Sequence, residues 1–432
     1  MRKLGSLLVA TGLLLAPATW AGAEPPSTDR QSAASYAARW LGDQVTDSGA
    51  IESTPGTPSP GLTAQGALAL VATGVGQAEV DAMVGFLEDD VDGQVQDSSG
   101  ADQPGPLAYL VLVAVATGED PTAFGDGGDL VARLEATQQP DGLYGAQDPT
   151  FDGAFRQGLA LLALAAVGND DPEGVDWLLD QQCDGGGWTS FRSDTSTACP
   201  DVDPATFSGP DTNSTALALL GLAAHDAVPD SPDPAAFLDS VRTDDGGWSY
   251  LADPDGDSDA NSTGLVVQAL LADAGGGEPD AEGIQVLRDV QVGCEAPAED
   301  RGALAFQPEG DGTLTPNTLA TVQALPALAA AFFPLAEGDL GALPAAPNCD
   351  PAPATTTTTI AGTGGTGGTT STVAPVEAAA AAATAGTLPA TGAPSAGASL
   401  PRTTRVGLAL VLAGVAVYML RWRPRQEEWW RN

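Results

Sequence analysis

The stretch "FLDSVRTDDGGWSYLADPDGDSDANSTGLVVQALLA", residues 237–272, joins a helix end, a glycine turn closed by Trp248, an acidic loop and an apolar helix. Its opening recurs as "LLDQQCDGGGW" (178–188), "LEATQQPDGLYG" (134–145) and, more loosely, "WLGDQVTDSGAI" (40–51). Weaker copies surround "AMVGFLEDD" (82–90) and "GIQVLRDVQ" (283–291). Each copy leads through a loop to an Ala/Leu-rich segment. These read "LTAQGALALVATG" (62–74), "PLAYLVLVAVATG" (106–118), "FRQGLALLALAAVG" (155–168), "NSTALALLGLAA" (213–224), "NSTGLVVQALLA" (261–272) and "NTLATVQALPALAA" (317–330). Internal repetition at this period is the mark of a repeat architecture.

The two helix sets differ in pattern. The first is amphipathic with aspartates on one side, whereas the second is apolar nearly all round and must therefore be surrounded by protein. Six such pairs closing on themselves give an all-α (α/α)6 toroid over residues 31–349, with the apolar helices as inner ring and the others as sheath. The glycines allow a sharp turn from outer to inner helix, and Trp188, Trp248 and Tyr144 are placed to cap the joint between neighbouring repeats.

The helix end followed by Asp-Gly-Gly-Trp resembles the QW-type repeat of the prenyltransferases and the squalene-hopene and oxidosqualene cyclases. The resemblance spans residues 31 to about 345 and is strongest in the fourth and fifth repeats. It implies the toroid, and it allows the family's chemistries to be tested residue by residue. Squalene-hopene-type cyclases carry DxDD before "TA" at an inner-helix start, the central aspartate being the acid that protonates an alkene. Here the matching residues are Asp211-Thr212-Asn213-Ser214-Thr215-Ala216 and Asp259-Ala260-Asn261-Ser262-Thr263-Gly264. An amide stands at the acid position in both and cannot donate that proton.

Tyr109 and Phe155 are the evident aromatics near the inner-helix openings, a sparse lining for a carbocation. Asn213, Asn261 and Asn317 read as N-caps of inner helices. The alternative is contact with a ligand at the ring's mouth, for which Asp211, Asn213, Ser214, Asp259, Asn261, Ser262 and Asn317 are the candidates. The zinc of protein prenyltransferases needs Asp, Cys and His at inner-helix starts. No inner helix here begins with Cys or His, and the one histidine, His225, ends the fourth. Thioester domains, which share such toroids, need Cys and Gln three residues apart, but Glu295, Ala296 and Pro297 follow Cys294. No catalytic residue is assigned, and no cofactor is required. Calcium is the possible exception, because Asp253, Asp255, Asp257 and Asp259 alternate as at the start of an EF-type loop. Ser258 stands where that loop needs glycine, and Gly264 where it needs glutamate.

Residues 1–23 read as a secretory signal peptide: Arg2 and Lys3, an apolar stretch, then Ala21-Gly22-Ala23. Residues 24–30 form a short extension. At the other end, 350–387 is a Thr/Gly/Ala/Pro-rich linker too poor in large apolar side chains to fold. Leu388-Pro389-Ala390-Thr391-Gly392 follows, then an apolar run at 406–420 and a basic tail at 421–432. This order resembles a Gram-positive sortase signal. It departs from that pattern in the 13 residues at 393–405 and in Glu427 and Glu428 of the tail. The 406–420 run is read as one transmembrane helix, with the arginines after it on the cytoplasmic side. Attachment by either route, wall or membrane, leaves the toroid outside the cell.

Between Arg30 and Cys349 there are eight arginines, no lysine and 51 acidic residues, a net charge of −43. Nucleic acid is excluded as a partner, since phosphate neutralisation needs a basic surface. Cys183, Cys199, Cys294 and Cys349 form an even set, as expected of two disulfides in an exported chain. Proximity favours Cys183 with Cys199 and Cys294 with Cys349 among the three connectivities. The expected function is a non-catalytic, surface-anchored binding or structural module whose partner is a surface ligand, glycan or protein. The alternative is an extracellular enzyme using the toroid mouth, either polysaccharide-active or a divergent cyclase or prenyltransferase.

Overall fold

The computed structural model describes residues 29–347 and 349, apart from 147–152, 191, 193, 204, 205 and 207. Thirteen helices form within them. The apolar set comprises α2 (Pro60–Thr73), α5 (Pro104–Thr117), α7 (Ala154–Ala166), α9 (Thr212–Ala224), α11 (Ala260–Asp273) and α13 (Thr318–Leu328). The amphipathic set comprises α1 (Arg30–Gly42), α3 (Gln77–Glu88), α6 (Leu130–Glu135), α8 (Pro172–Asp180), α10 (Pro234–Ser240) and α12 (Ala281–Asp289). Two elements were not expected from the sequence. They are a one-turn helix, α4 (Val91–Val95), and an antiparallel hairpin of β1 (Glu52–Thr54) and β2 (Thr57–Pro58) turning at Pro55-Gly56. Both lie in the connections that precede inner helices.

The inner helices pack in a closed cycle: α2 on α5, α5 on α7, α7 on α9, α9 on α11, α11 on α13, and α13 back on α2. The outer helices lie chiefly against the inner helix that precedes them in sequence, α3 on α2, α6 on α5, α8 on α7, α10 on α9 and α12 on α11, while α1 packs on both α13 and α2. Burial follows the sequence pattern. Every residue of α7 is buried, whereas α12 buries only Gly283, Ile284, Val286 and Leu287. Close approach within the ring depends on missing side chains. A Cβ on Gly158 of α7 would stand 2.2 Å from the Leu217 carbonyl oxygen of α9, and one on Gly264 of α11 would stand 2.7 Å from Ala324 Cα of α13.

The joints repeat one design. A glycine in the left-handed region turns the chain after the outer helix and abuts the start of the next outer helix. Gly186 (φ +98°) lies against Asp233 and Gly246 (φ +93°) against Glu282, so neither conformation nor space admits a side chain. Trp248 follows, and its indole nitrogen donates to the Leu238 carbonyl (2.7 Å), while Trp188 donates likewise to Leu178 (2.8 Å). Both indoles are fully buried. A side chain on Gly283 of α12 would meet the Trp248 ring at 3.1 Å, so the indole does cap the joint between neighbouring repeats. Tyr144 does the same work with a hydroxyl, donating to Asp171 (2.9 Å), the N-cap of α8.

The glutamine that precedes the turn ties each repeat to the next. Gln138 donates to Asp171 (2.9 Å) and Gln182 to the Pro232 carbonyl (3.0 Å). In the following repeat Arg242 takes the position and pairs with Asp280, the N-cap of α12, at 2.9 Å. Gln291 reaches the Ala33 carbonyl of α1 (2.9 Å), 258 positions away, and so closes the outer ring.

The cysteines pair as Cys183–Cys199 and Cys294–Cys349. Among the described residues no helix is long and apolar enough to cross a membrane. The signal peptide, linker, Leu388–Gly392 motif, apolar run and tail lie outside the described residues.

Candidate functional site

The inner helices all run the same way from their joints, so their N-termini gather at one end of the ring. The expected ligand residues sit there on three consecutive members of the cycle, α9, α11 and α13. Their roles differ from the N-cap reading at two positions. Asp211 caps α9, accepting from the Ser214 amide (2.6 Å), and Asp259 caps α11, accepting from the Ser262 amide and hydroxyl (2.8 Å each). Asn213 and Asn261 are second residues of their helices and cap nothing. Asn317 is a cap as expected, accepting from the Ala320 amide (2.9 Å). The reason is geometric: the cap residue must be extended, and the aspartate one residue before the helix is the one with that backbone.

The two capping carboxyls are buried, and burial governs their protonation. It pushes Asp211 up to about 7 and Asp259 up to about 6 against the pull of the Ser214 and Ser262 hydrogen bonds. Tyr250 lies beside them: its carbonyl accepts the Thr212 amide (3.0 Å), and the Asp211 charge, with burial, pushes its phenol up. An aspartate whose folded pKa lies above its unfolded value binds its proton more tightly in the native state. Between about pH 5 and 7 these two groups hold more protons in the folded chain than in the unfolded one, and their contribution to stability falls as pH rises. We expect urea midpoints to increase from pH 8 to pH 5. Asp211→Asn should remove much of that slope, a difference on the order of a few kcal/mol across the range. A midpoint that is flat or falls on acidification would contradict this burial effect.

Several functional positions carried a weaker signal in the sequence. A threonine four residues after the cap binds the preceding joint: Thr215 accepts from the Trp188 amide (3.0 Å), Thr263 from Trp248 (3.1 Å), Thr321 from Leu304 (2.9 Å) and Thr63 from Ile51 (2.9 Å). The isolated amides Gln65, Gln268 and Gln323 interrupt otherwise apolar helices, and all three are buried. Gln323 donates to Gln65 across the α13–α2 contact (3.0 Å) and closes the inner ring. His225 ends α9 with its Nε2 at 2.9 Å from the Leu161 carbonyl, a structural contact.

The alternating aspartates do not gather. Asp259 is turned inward as a cap, Asp253 accepts the Asp255 amide (3.1 Å), and Asp255 and Asp257 are exposed. Among the described residues no group of three or more His, Cys, Asp or Glu is arranged to hold a metal ion. Elsewhere a cleft of 580 Å³ opens between α3, the end of α5 and residues 337–340, lined in part by Glu88, Glu119 and Glu337. Burial and the neighbouring Glu119 raise the Glu88 carboxyl.

No protein-family model matches the chain, and no curated protein matches it in sequence. Solved structures do match. An unsaturated glucuronyl hydrolase specific for heparin superposes with a TM-score of 0.50 at 14% identity, over 70% of this chain and 96% of that one. The fold is the α/α toroid. An inactive variant of an alpha-1,6-mannanase from Salegentibacter (TM-score 0.48, 12% identity, 70% and 98% coverage) and the type II terpene cyclase MstE from Scytonema (0.45, 15%, 69% and 97%) also have this toroid fold. At these identities the likeness concerns the fold alone.

Proposed function

We propose that this chain is a non-catalytic binding or structural module, held at the cell surface, whose ring mouth takes a ligand without transforming it. One observation carries the reading: both positions where a cyclase keeps its acid hold asparagine, and the aspartates beside them are spent as helix caps. A carboxylate that accepts its own helix's amides is held away from a substrate. The two disulfides fit an extracellular protein. Sortase attachment through Leu388–Gly392, or retention by the 406–420 segment, would supply the anchor.

A second reading is an extracellular enzyme. It is favoured by the Asp211 carboxyl, which is half-protonated near neutrality and could serve as a general acid, and the neighbours in fold are mostly enzymes. The two readings separate in one assay. The purified full chain should leave squalene, geranylgeranyl diphosphate, alpha-1,6-mannan and unsaturated heparin disaccharide unchanged. Turnover of any of them, abolished by Asp211→Asn, would replace the first reading by the second.

A further inference from the structure

The chain does not stop at the sixth inner helix. After α13, residues 331–347 run back as a strap beside the C-terminal ends of α2 and α5. Three sets of contacts seat it. Phe333 and Leu335 are buried in the apolar core. The Gly341 amide donates to the Gly74 carbonyl (2.8 Å), and its own carbonyl accepts the amides of Gly76 (2.7 Å) and Gln77 (3.2 Å) at the start of α3. Leu343 fills the space left by the absent side chain of Gly42, where a Cβ would stand 2.3 Å from its Cδ1. All three are apolar or backbone contacts, and none of them pairs a charge.

The charges the strap carries are set against the fold. Glu337 lies over Gly118, the C-cap of α5: a Cβ there would stand 2.8 Å from the Glu337 carboxyl carbon. A helix C-terminus carries partial negative charge, so a carboxylate placed on it is disfavoured. Glu337 and Asp339 also line the 580 Å³ cleft, whose remaining wall holds Asp81, Glu88 and Glu119. No arginine, lysine or histidine lines that cleft. Two carboxylates of the strap thus meet three of the ring with no basic side chain between them. The Glu88 carboxyl, raised by burial and then by Glu119, shows that like charges there are within reach of one another.

We propose that the strap is a salt-gated closure of the ring: its apolar and backbone contacts seat it, its carboxylates push it off, and ionic strength sets the balance. Exposed charges repel over a screening length that shrinks from about 20 Å to about 4 Å between roughly 20 mM and roughly 0.5 M salt. At the lower concentration the carboxylates on the two sides of the cleft repel almost in full, and at the higher one most of that repulsion is gone. The Gly341 hydrogen bonds and the buried Phe333 and Leu335 are not screened in this way. Cys349, bonded to Cys294, fixes the far end, so opening is a lift of the strap's middle rather than release of the terminus. Lifting it uncovers the ends of α2 and α5, away from the mouth. The inference holds whether the mouth binds a ligand or transforms one.

Hydrogen exchange of the full chain, read by mass spectrometry, is the test. Peptides containing Gly76, Gln77 and Gly341, whose amides make the strap's bonds, should exchange about fivefold more slowly at roughly 0.5 M NaCl than at roughly 20 mM. The peptide containing Trp248, whose amide donates to Thr263 (3.1 Å) inside a joint, is the reference for changes in global stability. Glu337→Gln combined with Asp339→Asn keeps the side-chain shapes and removes both strap charges. It should slow exchange of the strap peptides at low salt and flatten their salt dependence. Strap peptides that respond to salt no more than the Trp248 peptide, or a double variant that keeps the wild-type slope, would overturn the proposal.

Discussion

Trp248→Ala is expected to cost about 3–5 kcal/mol of unfolding free energy, read as a lower urea midpoint with an unchanged slope. The indole has no exposed surface, its nitrogen donates to Leu238, the Arg242 guanidinium stacks 4.2 Å from its ring, and the next outer helix has glycine where the ring lies. Truncation would therefore open a cavity at a repeat boundary, where α10, α11 and α12 meet, and strand the Arg242 contact. Trp248→Phe should cost less, because it restores part of the apolar area but not the donor to Leu238. A loss below about 1 kcal/mol for the alanine variant would mean that the joint collapses around the gap, and that the tryptophan is not what seats one repeat on the next.

Replacing Cys294 and Cys349 together by serine should cost about 4 kcal/mol, and the Cys183/Cys199 pair about 3, by the loop-closure estimate for separations of 55 and 16 residues. The larger effect belongs to the crosslink that ties the end of the folded segment to the turn after α12, over the whole of the sixth inner helix. Chemical denaturation of both double variants beside the wild type under oxidising conditions provides the measurement. Equal midpoints for the wild type and the Cys294/Cys349 variant would show that the terminal segment is already held by its own contacts.

The fold was legible because its signals are periodic. Six apolar segments spaced by glycine turns can bury themselves in few ways, and Trp188 and Trp248 mark the joints without ambiguity. The disulfide pairing was legible for a simpler reason, since each partner is the nearest cysteine. The α4 turn and the hairpin escaped because they are local solutions inside connections, set by single residues such as Asp90 and Gly56 with positive φ. At the candidate site, residue type alone was misleading. Asn213 and Asn261 have the chemistry of caps, yet a shift of two positions gives that task to Asp211 and Asp259. Where the helix begins, not which residues prefer to begin one, decides which side chain is free. The Gln323–Gln65 contact was visible only as isolated glutamines in apolar helices. What they touch depends on helices 258 positions apart in sequence, and no local pattern carries that.

Open solenoids can gain or lose a unit, and they need special end repeats to cover the exposed faces. This ring has no such faces. Gln291 on α1's Ala33 and Gln323 on Gln65 join the last repeat to the first, and Arg30 donates to the Leu328 carbonyl beside them (2.8 Å). The sixth repeat thus does for the first what every other repeat does for its successor. The number of repeats is therefore tied to closure: a duplication or deletion of one unit would have to rebuild these seam contacts, whereas a change in a connecting loop leaves them untouched.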